Sequence, residues 1–158
     1  MPKTVSFIRN QMSILHLTSP CRFANGNVHA AVDLACEQAA KGHTVAFVSS
    51  GVYFEPLLQK NGVVLIDAPQ EAMTVSKGLR TFFSLWKVIR EFRPDVIHAH
   101  MMTGAVLAKP WTCLFGIPLV TTVHNSFDRH AILMGLGDRV IGVSGAVSEE
   151  MMRRHVPR

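Results

Sequence analysis

The chain has 158 residues, 48% of them hydrophobic and 17% charged, a globular composition long enough for one domain with a sizeable core. Its net charge of +5 permits nucleic acid, anionic lipid or phosphorylated ligands and selects none of them. Cys21, Cys36 and Cys113 are odd in number and lack paired spacing, which argues against a disulfide scaffold or zinc knuckle and fits a reducing cytoplasm.

Residues 1–11 lack the apolar run of a signal peptide and read as a poorly ordered leader, with the folded domain at 12–158. Residues 12–18 predict a first strand, and 19–27, with Pro20 and Gly26, a loop. An alanine-rich helix follows over 28–41, closed by Gly42, then a second strand over 44–48. A short helix at 54–60 precedes a third strand at 63–66 and a loop at 69–77. The spacing then predicts a long helix over 79–92, stopped by Arg93-Pro94, and a fourth strand over 96–99. Residues 105–115 are helical, with Pro110 expected to kink or split the helix, and 119–123 form a fifth strand. A loose helix at 129–134, a sixth strand at 139–143 and a last helix at 146–154, with Ser144 as its N-cap, complete the chain. The longest apolar tract, 104–123, is broken by Lys109, Pro110 and Pro118 and cannot span a bilayer as one helix. Strand and helix alternate without a hairpin signal, so the fold class is α/β: a single Rossmann-like, doubly wound parallel sheet.

Two of these strands carry most of the chemistry. Arg93-Pro94-Asp95-Val96-Ile97-His98-Ala99-His100 and Gly116-Ile117-Pro118-Leu119-Val120-Thr121-Thr122-Val123-His124-Asn125-Ser126 each run from a proline turn through an apolar strand to a histidine. In an open α/β sheet, ligands bind beyond the carboxyl ends of the strands. His98 and His100 share a strand face and form a potential metal pair, with His124 a possible third ligand. The opposing reading packs His98 into the core and leaves only His100 at the cleft. Asp95 stands at the wrong end of its strand to ligate, leaving Asp128 as the nearby carboxylate. The loop after the first strand has one glycine where a dinucleotide fingerprint needs three, although the following helix terminus can still hold an anion. Gly142-Val143-Ser144-Gly145 lacks the spacing of a nucleophile elbow. The stretch from Ser76 to Arg93 around this helix carries Lys77, Arg80, Lys87, Arg90 and Arg93 against a single Glu91. Its apolar stripe of Leu79, Phe82, Phe83, Trp86, Ile89 and Phe92 is expected to face the sheet, with the basic rim open to solvent or anionic lipid.

These motifs, with Gly137-Asp138-Arg139-Val140-Ile141-Gly142-Val143-Ser144 and Lys41-Gly42-His43-Thr44-Val45, resemble in order the signatures of family 4 glycosyltransferases. The likeness runs from Met12 to Arg158 and corresponds to the amino-terminal, acceptor-side domain of these retaining GT-B enzymes. It implies a nucleotide-sugar donor, a glycan or lipid-linked acceptor in cell-envelope synthesis, and no nucleic acid, metal or other cofactor. It also implies a cytoplasmic site, with peripheral association at the inner face of the membrane. The family's donor pocket and paired-glutamate motif belong to a second, carboxyl-terminal domain that these residues do not include, so the chain alone is expected to be inactive. By the same resemblance His100 is the catalytic cleft histidine, and Gly26, Asn27, His124, Asn125 and Ser126 face acceptor and donor phosphates. The loop departs from the family's paired glycines and glutamate, with Asn25, Gly26 and Val28 at those positions. His100 and His124 are expected to be solvent-facing at the cleft rim. Two other readings stay open on the residues alone: a metal-dependent hydrolase using His98 and His100, and a stand-alone binding module without chemistry.

Overall fold

The computed structural model describes residues 11–18, 26–51, 53–67, 75–125 and 129–156, the side chains of Val75 and Lys77 excepted. The leader at 1–10, the loop residues 19–25 with Cys21 and Asn25, Ser126 and Asp128 lie outside the described residues. The elements run β1 Ser13–Leu17, α1 Gly26–Ala40, β2 Thr44–Ser49, α2 Glu55–Lys60, β3 Val64–Asp67 and α3 Val75–Phe92. They continue as β4 Val96–Ala99, α4 Met102–Phe115, β5 Leu119–Val123, a 3₁₀ segment Arg129–Leu136, β6 Arg139–Gly142 and α5 Gly145–Arg153.

All six strands are parallel, in the order β3-β2-β1-β4-β5-β6. The strand order reverses between β1 and β4, which opens a crevice at their carboxyl ends. Period-two alternation divides the core between the faces. Leu15, Leu17, Ala46, Val48, Ile97 and Ala99 pack with buried residues of α3 and α4. Ile14, Val45 and Phe47 pack with Val28, Ala31, Val32 and Ala35 of α1 and Leu58 of α2.

The amino edge is fastened by two aspartates standing just before strands. Asp95 accepts the Ser13 N–H through Oδ2 at 2.8 Å and donates its own N–H to the Ser13 carbonyl at 2.8 Å. Asp138 accepts the Leu119 N–H at 2.8 Å and the Lys109 ammonium at 3.0 Å. The Leu119 N–H, then Lys109, hold the Asp138 carboxyl below its usual range.

Several boundaries differ from the sequence reading. Gly26 and Asn27 are the first residues of α1 and not part of a loop. Helix α4 begins at Met102 and continues through Pro110 without a break in the helix. Proline removes an N–H that would have bonded the Val106 carbonyl, and Val106 lies on an exposed part of the helix where water can serve. Gly116, at φ 67°, ends α4 in a left-handed cap, while Arg93 takes φ 52° at the end of α3 just before Pro94. The aromatic stripe of α3 only partly faces inward. Leu85 and Ile89 are buried with Thr81, whereas Leu79 is 54% and Phe83 59% exposed. The stripe is wider than one packing partner covers. Phe82 instead stacks on Trp111 of α4 at 4.3 Å, and the indole N–H donates to the Phe82 carbonyl at 3.0 Å.

Candidate functional site

The site lies at the carboxyl ends of β1, β4 and β5, on the face covered by α1. His16 of β1 and His98 of β4 are direct register partners, so their rings emerge side by side. His100, two residues past His98, joins the same face just beyond the strand, and its N–H bonds the Leu17 carbonyl at 2.9 Å. The three imidazoles form a stack, with ring centroids 4.2 Å apart for His98–His100, 5.2 Å for His16–His100 and 5.3 Å for His16–His98.

Hydrogen bonds order the stack. His16 Nε2 lies 2.7 Å from Gln38 Oε1 on α1, and His16 Nδ1 lies 2.9 Å from His100 Nε2. His98 Nε2 meets the Thr122 hydroxyl of β5 at 2.7 Å. Neighbouring Thr121 donates instead to the Met134 carbonyl at 2.6 Å and so ties the 3₁₀ segment to β5. The remaining His100 nitrogen, Nδ1, and Nε2 of His124 are buried and have no hydrogen-bond partner among the described residues.

Burial shifts all four rings toward the neutral form. Burial pushes His16 down to about 4 against a partly opposing Gln38 bond, and pushes His98 down to about 3 with help from His16 and His124. His100 is depressed further, by burial first and then by His98, His16 and His124. Burial also lowers His124.

A cavity of about 180 Å³ opens beside the stack, lined by His100, Thr122, His124, Asn125 and Asn27 together with Met101, Met102, Val123, Ala131 and Met134. Half of these residues are polar, set among apolar and methionine side chains, a mixture suited to orienting a small ligand. The first residues of α1 and α4 contribute to this lining, so two helix amino termini with positive partial charge stand beside it.

His100, His124, Asn125 and Asn27 all line this cavity, while Gly26 heads α1 just outside the lining. One expectation is corrected: His100 is 4% exposed and not solvent-facing, and His124 is half-buried. The His16 and His98 rings stack against the His100 ring, and His124 stands beside it. His98 points into the packed sheet as expected. Arg80, Lys87 and Arg90 lie on the exposed side of α3, away from the cavity lining. His16 and Gln38 are functional-looking residues the sequence reading missed. Their signal was a lone imidazole inside the apolar run of β1, the strand that a doubly wound order sets beside β4.

His16, His98 and His100 place ligand-type nitrogens within 4.8 Å of one another, which raises the question of a metal. The geometry does not fit one well. A metal lies in the ring plane at the nitrogen lone pair. Here His98 and His100 are face to face at 29°, and both His16 nitrogens are already hydrogen-bonded.

The structure is a Rossmann-like α/β domain with a cavity at its switch point, the architecture of the amino-terminal half of GT-B enzymes. The chain belongs to glycosyltransferase family 4: the family model Glycosyltransferase Family 4 matches residues 24–158. No curated protein matches the chain at significant similarity. Among solved structures it is similar to a glycosyltransferase from Rickettsia africae ESF-5, with TM-score 0.71 and 21% identity over 90% of this chain and 39% of that one. It is similar also to Anabaena Alr3699/HepE in complex with UDP and glucose, with TM-score 0.70 and 17% identity over 90% of this chain and 41% of that one. The lipopolysaccharide outer core galactosyltransferase WaaB gives TM-score 0.70 and 10% identity over 93% of this chain and 43% of that one. The chain therefore spans about two fifths of the length of these proteins.

Proposed function

We propose that the chain forms the acceptor-side half of a retaining glycosyltransferase that moves a sugar from a nucleotide-sugar donor to a glycan or lipid-linked acceptor of the cell envelope. The observation that carries this is the pair of unpartnered buried nitrogens, His100 Nδ1 and His124 Nε2, at a cavity on the switch-point edge. An unsatisfied buried polar atom costs about 1–3 kcal/mol, which a hydroxyl-bearing ligand would recover. The helix amino termini beside the cavity suit a diphosphate leaving group, whose developing charge they can stabilise without a metal. The UDP and glucose complex of the Anabaena protein and the lipopolysaccharide activity of WaaB support the same donor and acceptor classes. Neither metal nor other cofactor belongs to this reading, and metal analysis of the purified protein checks it: stoichiometric zinc lost on His98→Ala would favour a hydrolase. No helix among the described residues is long and apolar enough to cross a membrane. Work at the inner membrane face would rest on peripheral contact through α3.

Calorimetry tests the division of labour. The chain alone is expected to bind UDP-glucose no tighter than about 1 mM, or about 4 kcal/mol, and to transfer nothing. Micromolar affinity would put the donor on this half. Combined with a donor-binding domain, it is expected to transfer sugar, with His100→Gln lowering turnover about 10- to 100-fold, the worth of one good hydrogen bond in the transition state. Unchanged turnover would remove His100 from the site. Because His100 is buried, the variant is also expected to lose stability.

A further inference from the structure

We propose that His16, held by Gln38, is a positioning residue that fixes His100 in its Nε2–H tautomer and keeps His100 Nδ1 a bare acceptor. This deepens the reading above, in which the cavity takes a hydroxyl-bearing sugar ligand. The donors and acceptors from Gln38 through His16 to His100 allow one assignment. Gln38 presents its amide oxygen to His16 at 2.7 Å, and an oxygen only accepts, so His16 carries its proton on Nε2. A neutral His16 then has a bare Nδ1. The 2.9 Å contact from that atom to His100 Nε2 needs one proton, and His100 must supply it. A neutral His100 with its proton on Nε2 has a lone pair on Nδ1, the atom left without a partner among the described residues. Burial of both rings favours the neutral forms on which the assignment depends.

The relay also explains an otherwise costly arrangement. His16 is fully buried at the centre of the sheet, where an apolar side chain would pack without needing partners. Its two nitrogens instead link α1 to the site across 22 and 84 residues of sequence. A free imidazole divides its proton between the nitrogens, so a His100 without the relay would offer a donor to the ligand part of the time.

The test is the tautomer itself, read by long-range proton–nitrogen correlation spectra of the chain labelled with nitrogen-15 in histidine. In the wild type at neutral pH, His100 is expected to show a protonated Nε2 and a bare Nδ1. Gln38→Glu should preserve that pattern, because a carboxylate also accepts from His16. Gln38→Leu and His16→Phe should abolish it, giving an averaged or exchanged pair of His100 nitrogens with the backbone amide spectrum retained. If His16→Phe fails to fold, the two Gln38 variants decide, since that side chain is only partly buried on α1. A wild-type His100 protonated on Nδ1 would overturn the proposal. So would a tautomer reversed by Gln38→Glu, or one untouched by Gln38→Leu. The measurement needs no donor or acceptor, so it succeeds or fails independently of the transfer reaction, which the calorimetry and turnover arms address.

Discussion

His98 shows how closely the imidazole stack is matched to its surroundings. It is 5% exposed, stacks on His100, and has the Thr122 hydroxyl at 2.7 Å as partner for Nε2. Thr122→Val keeps the shape and removes the hydroxyl, leaving a buried ring nitrogen unsatisfied. It is expected to cost about 1–3 kcal/mol in urea unfolding, whereas Thr122→Ser should cost less. A Thr122→Val protein as stable as the wild type would show that water already serves this nitrogen. The sequence made His98, His100 and His124 conspicuous because each ends or follows an apolar strand. It could not show which nitrogen faces which partner, because that depends on the register His16↔His98 between strands about eighty residues apart. For the same reason His100 looked like a rim residue: sequence places it past the strand, but only packing shows that it is covered.

At the scale of elements, α3 leaves part of its apolar stripe open to solvent. Leu79, Phe83, Arg80, Lys87 and Arg90 share its exposed side, and Arg90 lies 5.0 Å over the Trp86 ring. Lys87 and Glu91 approach at 3.9 Å, but both are so exposed that the pair adds little. Two apolar side chains among cations suit an anionic bilayer better than bulk water. The protein is expected to sediment with vesicles containing phosphatidylglycerol and to release when salt is raised to about 1 M, where screening shortens to about 3 Å. Equal binding to neutral vesicles, or none to either, would rule out this contact. The helix itself was readable from its apolar period, and so was the whole alternation of elements. What periodicity could not supply was the share of the stripe that α4 would cover, because Trp111 and Phe82 meet only after both helices dock. Gly142 illustrates the opposite case. It stands in a motif legible in sequence, and the reason is spatial: a Cβ there would collide with Ser148, whose backbone nitrogen would be 2.9 Å away. Ser144 then caps α5 as expected, accepting the Val147 N–H at 3.3 Å.

The whole molecule inherits a pH dependence from its buried imidazoles. In the unfolded chain a histidine protonates near its ordinary 6.5, whereas folded His16 resists to about 4 and His98 to about 3. Unfolding therefore takes up protons below 6.5, and stability that is intact above that pH is lost as the pH falls toward 4. Each such group steepens the loss within that window, by at most about 1.4 kcal/mol per pH unit. Thermal melts are expected to show Tm falling steadily from pH 6.5 to 4.5. A flat Tm across that range would mean the rings are protonated in the fold without penalty.

The reciprocal clasp between Ser13 and Asp95 bridges 82 residues, and the His16–His100 contact bridges 84. One neighbour of β1 in the sheet, β2, follows it directly among the described strands, whereas the other, β4, comes about eighty residues later. A β1 not yet paired with β4 would present Ile14, Leu15 and Leu17 along an open strand edge. His16 interrupts that apolar run, and in an unfolded or half-paired chain it is hydrated and partly charged, which discourages the edge from pairing with another copy. The most buried imidazole of the described strands is thus also the polar break in the apolar run of β1.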